Sequence, residues 1–461
     1  MRTDRLLGYL TFAMLFVVAV VFYRERIAFT DLAYNMFALA VTEGEFQVHG
    51  YRFVSVLTQW LPVALIKGES PIWLVEVAYS LSFWLLYAAA WAVLHFGIRS
   101  SRWALAWALL WLCYSVHTQF YIPSELTQGL AVFVVCLGLV EWRATSYGWR
   151  FGKPLLVASG IFAVSFAHPV IVIPVTYCLL VVLLTDAAAS RLRLACYAAI
   201  FYGGYWLRQT HFRTFYDAQV NNDWRPALDR LLDGDVPYSI TAFARNVCWD
   251  YALFVFLVVA SVATLWRARR RLLSVLTAGF VIGHLLLVAL HYPTPVTTEF
   301  YIEHLYLPAG FVAAVGLSIG IGRSTRQAWV GQRVAIALGV AVALRLGYIG
   351  YVGETVYTPR LERLRAELDR YAGRKVVLRD GPAVTESLLM TWATPFEAWL
   401  VSAHKGEASA GYLVLPDPEA VRDHYGETGI FLAPTVAYPY DSLPAHYFGD
   451  PVPGVGYEFV E

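Results

Sequence analysis

Charge is what this sequence has least of. Asp, Glu, Lys and Arg make up 15% of its 461 residues, against about 25% in an ordinary soluble domain. That excludes a chain folded as two or three water-soluble domains. The charge present nearly cancels, at a formal +1, so no basic surplus points to nucleic acid. Cysteine is also sparse. Cys113, Cys136, Cys178, Cys196 and Cys248 fall within or at the edge of apolar runs. They form no CxxC and no metal-ligand spacing, and none is well placed for a disulfide in an exposed loop. No internal repeat is evident, which removes support for an inverted-repeat transporter. The first apolar run follows Arg2 and Arg5 without a small-residue cleavage site, so it reads as a retained helix rather than a signal peptide.

What the sequence has in abundance is apolar length. Hydrophobic residues make up 58%, gathered in runs near the ~20 residues that cross a bilayer. The runs 6–23, 72–95, 103–120, 126–142, 154–168, 170–185, 194–208, 249–266, 272–290, 305–322 and 330–350 predict an all-α polytopic membrane protein of about eleven transmembrane helices. Every second connection is basic: Arg2 and Arg5, Arg99 and Arg102, Arg143, Arg150 and Lys153, Arg191 and Arg193, Arg267 with Arg269, Arg270 and Arg271, then Arg323 and Arg326. Basic loops mark the cytoplasmic side, so the N-terminus is expected inside and the tail outside, in a cell inner (plasma) membrane. Residues 154–185 decide the parity. A single helix there would invert every later loop, so they are read as two short passes, tilted or re-entrant, broken at His168-Pro169.

The non-cytoplasmic connections are chemically dense. In the transmembrane domain, 1–350, residues 31–42 and 52–66 are moderately amphipathic and read as helices lying in the membrane interface. The loop 208–248 is rich in Arg, Asp and Asn. After about residue 350 the composition turns ordinary, and 351–461 reads as a small α/β domain outside the membrane. Thr358-Pro359 opens a charged helix there as N-cap and N1. KVVLR, GYLVLP and GIFLAP read as short buried strands, with helical stretches near 383–403 and 418–425.

Several ionisable residues gather on that face. Asp31, just past the first span, is either a helix N-cap or a carboxylate at a cavity mouth acting as general base or metal ligand. Glu125 supplies a second acid in the next outer connection, or simply opens the fourth span. His168 sits at a helix end, where a hydrogen-bonded cap competes with a functional role. Glu299, Glu303 and His304 share a short loop with His291, the two acids spaced to share a helix face. Arg345 lies inside the last span, which costs at least ~2.5 kcal/mol unless the side chain snorkels to the headgroups. Arg52 and Arg208 sit at the boundary, and an arginine fork suits phosphate oxygens. His284, mid-span, is expected to pair within the bundle.

An acid just after the first span, interfacial helices, and a second acid in the next outer loop resemble the GT-C fold, the multi-pass glycosyltransferases that use polyprenyl-phosphate-linked sugars. TEFYIEHLYLP at 298–308 is loosely similar to the charged-aromatic segment preceding a late span in many members, and a soluble domain after the last span is common among them. Asp31 is followed by Leu32 where several members carry a second acid. The resemblance implies a sugar moved from a polyprenyl-phosphate donor to a glycan, lipid or protein acceptor. Asp31 and Glu125 would be catalytic. Arg52, His168, Arg208, Glu299, Glu303, His304 and Arg345 would bind substrate, and a divalent cation, magnesium or manganese, is the one cofactor it admits. Competing readings are a transporter or flippase of lipid-linked glycans, a polysaccharide polymerase or ligase working through the arginines of 208–248, and a scaffold for the tail domain.

Overall fold

The computed structural model describes residues 3–122, 124–142, 147–186, 190–214, 225–292, 300–321, 332–403, 411–434 and 436–460. It is mostly helical. The first part of the chain forms α1 (Thr3–Val21), α2 (Thr30–Val41), α3 (Trp60–Lys67), α4 (Ile72–Ala92), α5 (Ser101–Cys113), α6 (Ser124–Glu141), α7 (Tyr147–Ser165), α8 (Val172–Thr185) and α9 (Arg191–His211). It continues with α10 (Ala252–Arg267), α11 (Arg271–His291), α12 (Leu307–Gly320) and α13 (Gln332–Val352). Each apolar run of the sequence overlaps one of these helices. Asp4–Val21, Ile72–Gly97, Arg271–His291 and Ala335–Arg370 are long and apolar enough to cross a membrane, while Gly152–Ser165, Pro169–Thr185, Ala252–Arg267 and His304–Gly320 are apolar but shorter.

The bundle is built around α12. Every residue from Leu307 to Ile319 is buried, the expected place for a helix that is apolar on all sides. Small residues let its neighbours approach closely. A Cβ on Gly316 would stand 2.2 Å from the Ser261 hydroxyl of α10. The bundle has two chemically distinct ends. At one, Arg5 donates to His95 at 2.9 Å, Arg102 pairs with Glu141 and reaches Thr185 at 3.0 Å, and Lys153 donates to the Trp142 carbonyl. The start of α1, the α4–α5 turn and the C-terminal ends of α6 and α8 thus come together. Asp31, His117 and Glu125 lie at the opposite end.

Several expected elements differ in detail. The run 103–120 is helical only to Cys113, and Tyr114 is extended. Residues 52–66 form a 3-10 stretch, Phe53–Thr58, and then α3, rather than one helix. Leu32, Ala33, Met36, Phe37, Leu39 and Ala40 of α2 are buried, so protein covers the apolar face expected to meet lipid. Thr358 is not a helix cap. α13 passes through a π-turn, Gly353–Tyr357, straight into α14 (Thr358–Arg370), and the Thr358 hydroxyl donates to Glu25 at 3.1 Å.

The tail domain carries a three-stranded parallel sheet in the order β2-β1-β5, made of β1 (Lys375–Arg379), β2 (Tyr412–Leu415) and β5 (Tyr457–Val460). A separate antiparallel pair joins β3 (Ile430–Leu432) to β4 (Ala437–Pro439). The helical stretch near 383–403 is two helices, α15 (Pro382–Leu388) and α16 (Thr394–Ala403), parted at Leu389 with φ +65°. The stretch near 418–425 is a 3-10 turn. This domain docks on α2 through Phe37. Its ring stacks on Phe431 at 4.9 Å and meets Phe396 at 4.8 Å, Tyr438 at 5.4 Å and Phe448 at 5.5 Å.

Candidate functional site

Asp31 stands in the first turn of α2, but it does not cap the helix. The cap position is Phe29, and Thr30 has φ +45°, a left-handed conformation that is unusual for a non-glycine residue and common at functional sites. The tail domain holds this turn. Glu397 of α16 accepts the Thr30 backbone N–H at 2.7 Å and pairs with Arg360 of α14. Arg360 also donates to the Ala28 carbonyl at 3.1 Å and to the Leu388 carbonyl at 2.7 Å, with its guanidinium 4.4 Å above the Phe29 ring. A partner from the tail thus satisfies the orphan N–H of the helix start, and the Asp31 side chain is left for other contacts.

One Asp31 oxygen accepts the Tyr121 hydroxyl at 3.2 Å. Arg52 is ion-paired to Glu125 at 3.2 Å. The Asp31 side chain is exposed, although much of the protein lies close around it. That surrounding protein, and next the charge of Glu125, push its pKa up to about 6, with the Tyr121 hydrogen bond and Arg52 opposing. His168 precedes the turn Pro169–Ile171, where its Nδ1 accepts the Val170 N–H at 3.3 Å. Arg52, His304, Arg208 and His284 lie near it. His304 meets Tyr121 edge-on at 5.5 Å, and Arg208 is buried in the last turn of α9. Six expected residues therefore share one end of the bundle: Asp31, Glu125, Arg52, His168, Arg208 and His304.

Glu303 and Arg345 belong to a neighbouring cluster. Glu303 is buried, and its carboxylate accepts from Tyr251 at 2.9 Å and from Ser115. Arg345 is buried too and donates to the Tyr114 carbonyl, so it points into the bundle and does not snorkel. His284 also pairs inside, donating to the Leu305 carbonyl at 2.5 Å. Glu299 lies outside the described residues, as do residues 215–224 of the long polar loop.

Sequence reading did not single out His117 or Asp250. His117 Nε2 lies 3.7 Å from Asp250 Oδ2, and one ligand atom from each of His117, Asp250 and Glu303 falls within 4.8 Å of the others. The signal available was position: each is an ionisable residue at the edge of an apolar run. An aromatic layer separates this trio from Asp31, with Phe29 5.9 Å from Tyr121 and 5.6 Å from Tyr357. A groove of about 470 Å³ at the far end of α10, lined by Val258, Val262, Trp266 and Ile282, offers only Arg267 as an ionisable group.

No family model matches the chain, and no curated protein matches it either. The chemistry of these residues therefore carries the functional reading.

Proposed function

We propose that the protein is a membrane glycosyltransferase of the GT-C kind. It moves a sugar from a polyprenyl-phosphate-linked donor to a glycan, lipid or protein acceptor. In this reading the chain crosses the membrane eleven times with its arginine-rich turns in the cytoplasm, and Asp31 and the tail domain face outward. The observation that carries it is Asp31: an exposed carboxylate beside the Glu125–Arg52 pair at one end of an apolar bundle, its pKa raised to about 6.

A general base works best with a pKa near the operating pH. Asp31 is ionised at neutral pH yet more basic than an ordinary aspartate. It takes the proton of the acceptor hydroxyl as that oxygen attacks the anomeric carbon. The bond from anomeric carbon to phosphate oxygen breaks, and polyprenyl phosphate leaves with the extra negative charge. Arg52 and Arg208 face that charge, and electrostatic stabilisation of this kind is usually the largest contribution to rate. Glu125, paired to Arg52, holds the guanidinium in place. The donor's hydrocarbon tail is the reason such an enzyme sits in a membrane.

Asp31→Asn tests the assignment. The change is nearly isosteric, and since Glu397 rather than Asp31 serves the helix start, the fold is expected to survive. A neutral amide cannot accept the proton, so transfer should fall by about 10²–10⁴-fold at unchanged protein level. Wild-type glycan transfer in Asp31→Asn membranes would overturn the proposal.

A further inference from the structure

The proposed transfer leaves His117, Asp250 and Glu303 unused. They come from three distant segments: the 3-10 turn His117–Gln119 after α5, the residues just before α10, and the end of the short helix Phe300–Glu303. One nitrogen or oxygen of each lies within 4.8 Å of the others. Metal–ligand bonds of about 2.0–2.2 Å require these atoms to close by roughly an ångström, within reach of side-chain rotation.

On His117 and Asp250 one polar atom is held by a neighbour and the other faces the cluster, while both Glu303 oxygens already accept a hydrogen bond. His117 Nδ1 is 3.0 Å from the Tyr357 hydroxyl, leaving Nε2 toward Asp250. Tyr348 donates to Asp250 Oδ1 at 2.8 Å, leaving Oδ2 toward His117. Tyr251 and Ser115 donate to the two Glu303 oxygens. Outer partners that fix ring orientation and carboxylate direction are what metal ligands characteristically have. Glu303 is buried, while His117 and Asp250 are only partly so, which leaves a route of entry. Asp250 and Glu303 both face the guanidinium of Arg345, so the cluster gathers ionisable groups in a largely buried place, where an uncompensated charge is costly.

We propose that His117, Asp250 and Glu303 form a binding site for one divalent first-row transition cation. One imidazole with two carboxylates suits zinc or manganese better than magnesium, which prefers oxygen ligands alone. Three protein ligands leave positions for water or a substrate oxygen. The ion ties the end of α5 to the segments entering α10 and α12, and its binding is expected whether or not Asp31 acts as a base.

The experiment uses the full chain in detergent, stripped with a chelator and titrated with zinc chloride or manganese chloride. Calorimetry and elemental analysis after gel filtration read the result. The expected outcome is one ion per chain, a rise in melting temperature on binding, and affinity at least about tenfold weaker in His117→Ala and Asp250→Asn. Asp250→Asn loses only a charge and keeps an acceptor for Tyr348, so it serves even if Glu303→Gln fails to fold. Asp31→Asn should bind the ion as the wild type does. No saturable binding by the wild type would overturn the site and leave the cluster neutralised by protons alone. Unchanged affinity in His117→Ala and Asp250→Asn, or binding lost in Asp31→Asn, would overturn it equally.

Discussion

At the scale of single residues, environment does most to distinguish one acid from another. Asp31 and Glu125 are both carboxylates near the end of an apolar helix, but Glu125 is tied to Arg52 while Asp31 has a phenol for a partner. The protein crowded around it, which displaces water, and then the charge of Glu125 raise Asp31 to about 6. The sign follows directly: the basic form dominates above that value and is lost as pH falls through it. Transfer should therefore be nearly flat from pH 7 upward and lower by about tenfold at pH 5 than on the plateau. Tyr121 donates to the ionised form and so lowers the pKa. Tyr121→Phe should move the acid limb of the pH–rate profile to higher pH, and a limb that stayed in place would mean another group controls it.

Among the elements, α12 shows how composition fixes position. A helix apolar on every face cannot present one side to water, and here neighbouring helices enclose it completely. Its glycines permit that closeness. At Gly316 an added Cβ would meet the Ser261 hydroxyl at 2.2 Å and Thr277 at 3.1 Å. Gly316→Val should push α10 and α11 away and lower stability by about 1–3 kcal/mol, read as a drop in melting temperature of the detergent-solubilised protein. An unchanged melting temperature would mean that the bundle yields at this crossing. α2 illustrates the converse. Its amphipathic pattern was legible, but the pattern alone cannot say whether lipid or protein covers the apolar face.

For the whole molecule, the junction between bundle and tail is the decisive feature. Phe37 sits in an aromatic cluster supplied by the tail, and the Glu397–Arg360 pair grips the turn that carries Asp31. The pair is buried, with side-chain exposures of 0% and 3%. Removing one partner of such a pair leaves an uncompensated charge and costs about 3–5 kcal/mol. Glu397→Gln should therefore loosen the tail, seen as faster proteolysis between residues 403 and 436 and a lower melting temperature. It should also reduce transfer, because Thr30 loses its carboxylate partner beside Asp31. Wild-type proteolysis in Glu397→Gln would show that the aromatic cluster alone holds the junction.

The sequence by itself determined where the helices form. Hydrophobic run length and short basic turns are local properties, and each run overlaps a helix, with Arg5, Arg102 and Lys153 held at the ends of neighbouring helices. It also marked Asp31, Arg52, Glu125, His168, Arg208 and His304 as residues of the opposite end, because charge beside an apolar run is conspicuous. Three things waited for the tertiary structure. His117 and Asp250 look ordinary in the chain and become a cluster only when turns 133 residues apart meet beside Glu303. Arg345 could snorkel or turn inward, and the packing of the last helix decided for inward. Thr358 looks like a helix start, yet the preceding turn stays wound, so its hydroxyl serves Glu25 instead. In each case the deciding contact is between residues far apart in sequence, and side-chain pattern along the chain carries no record of it.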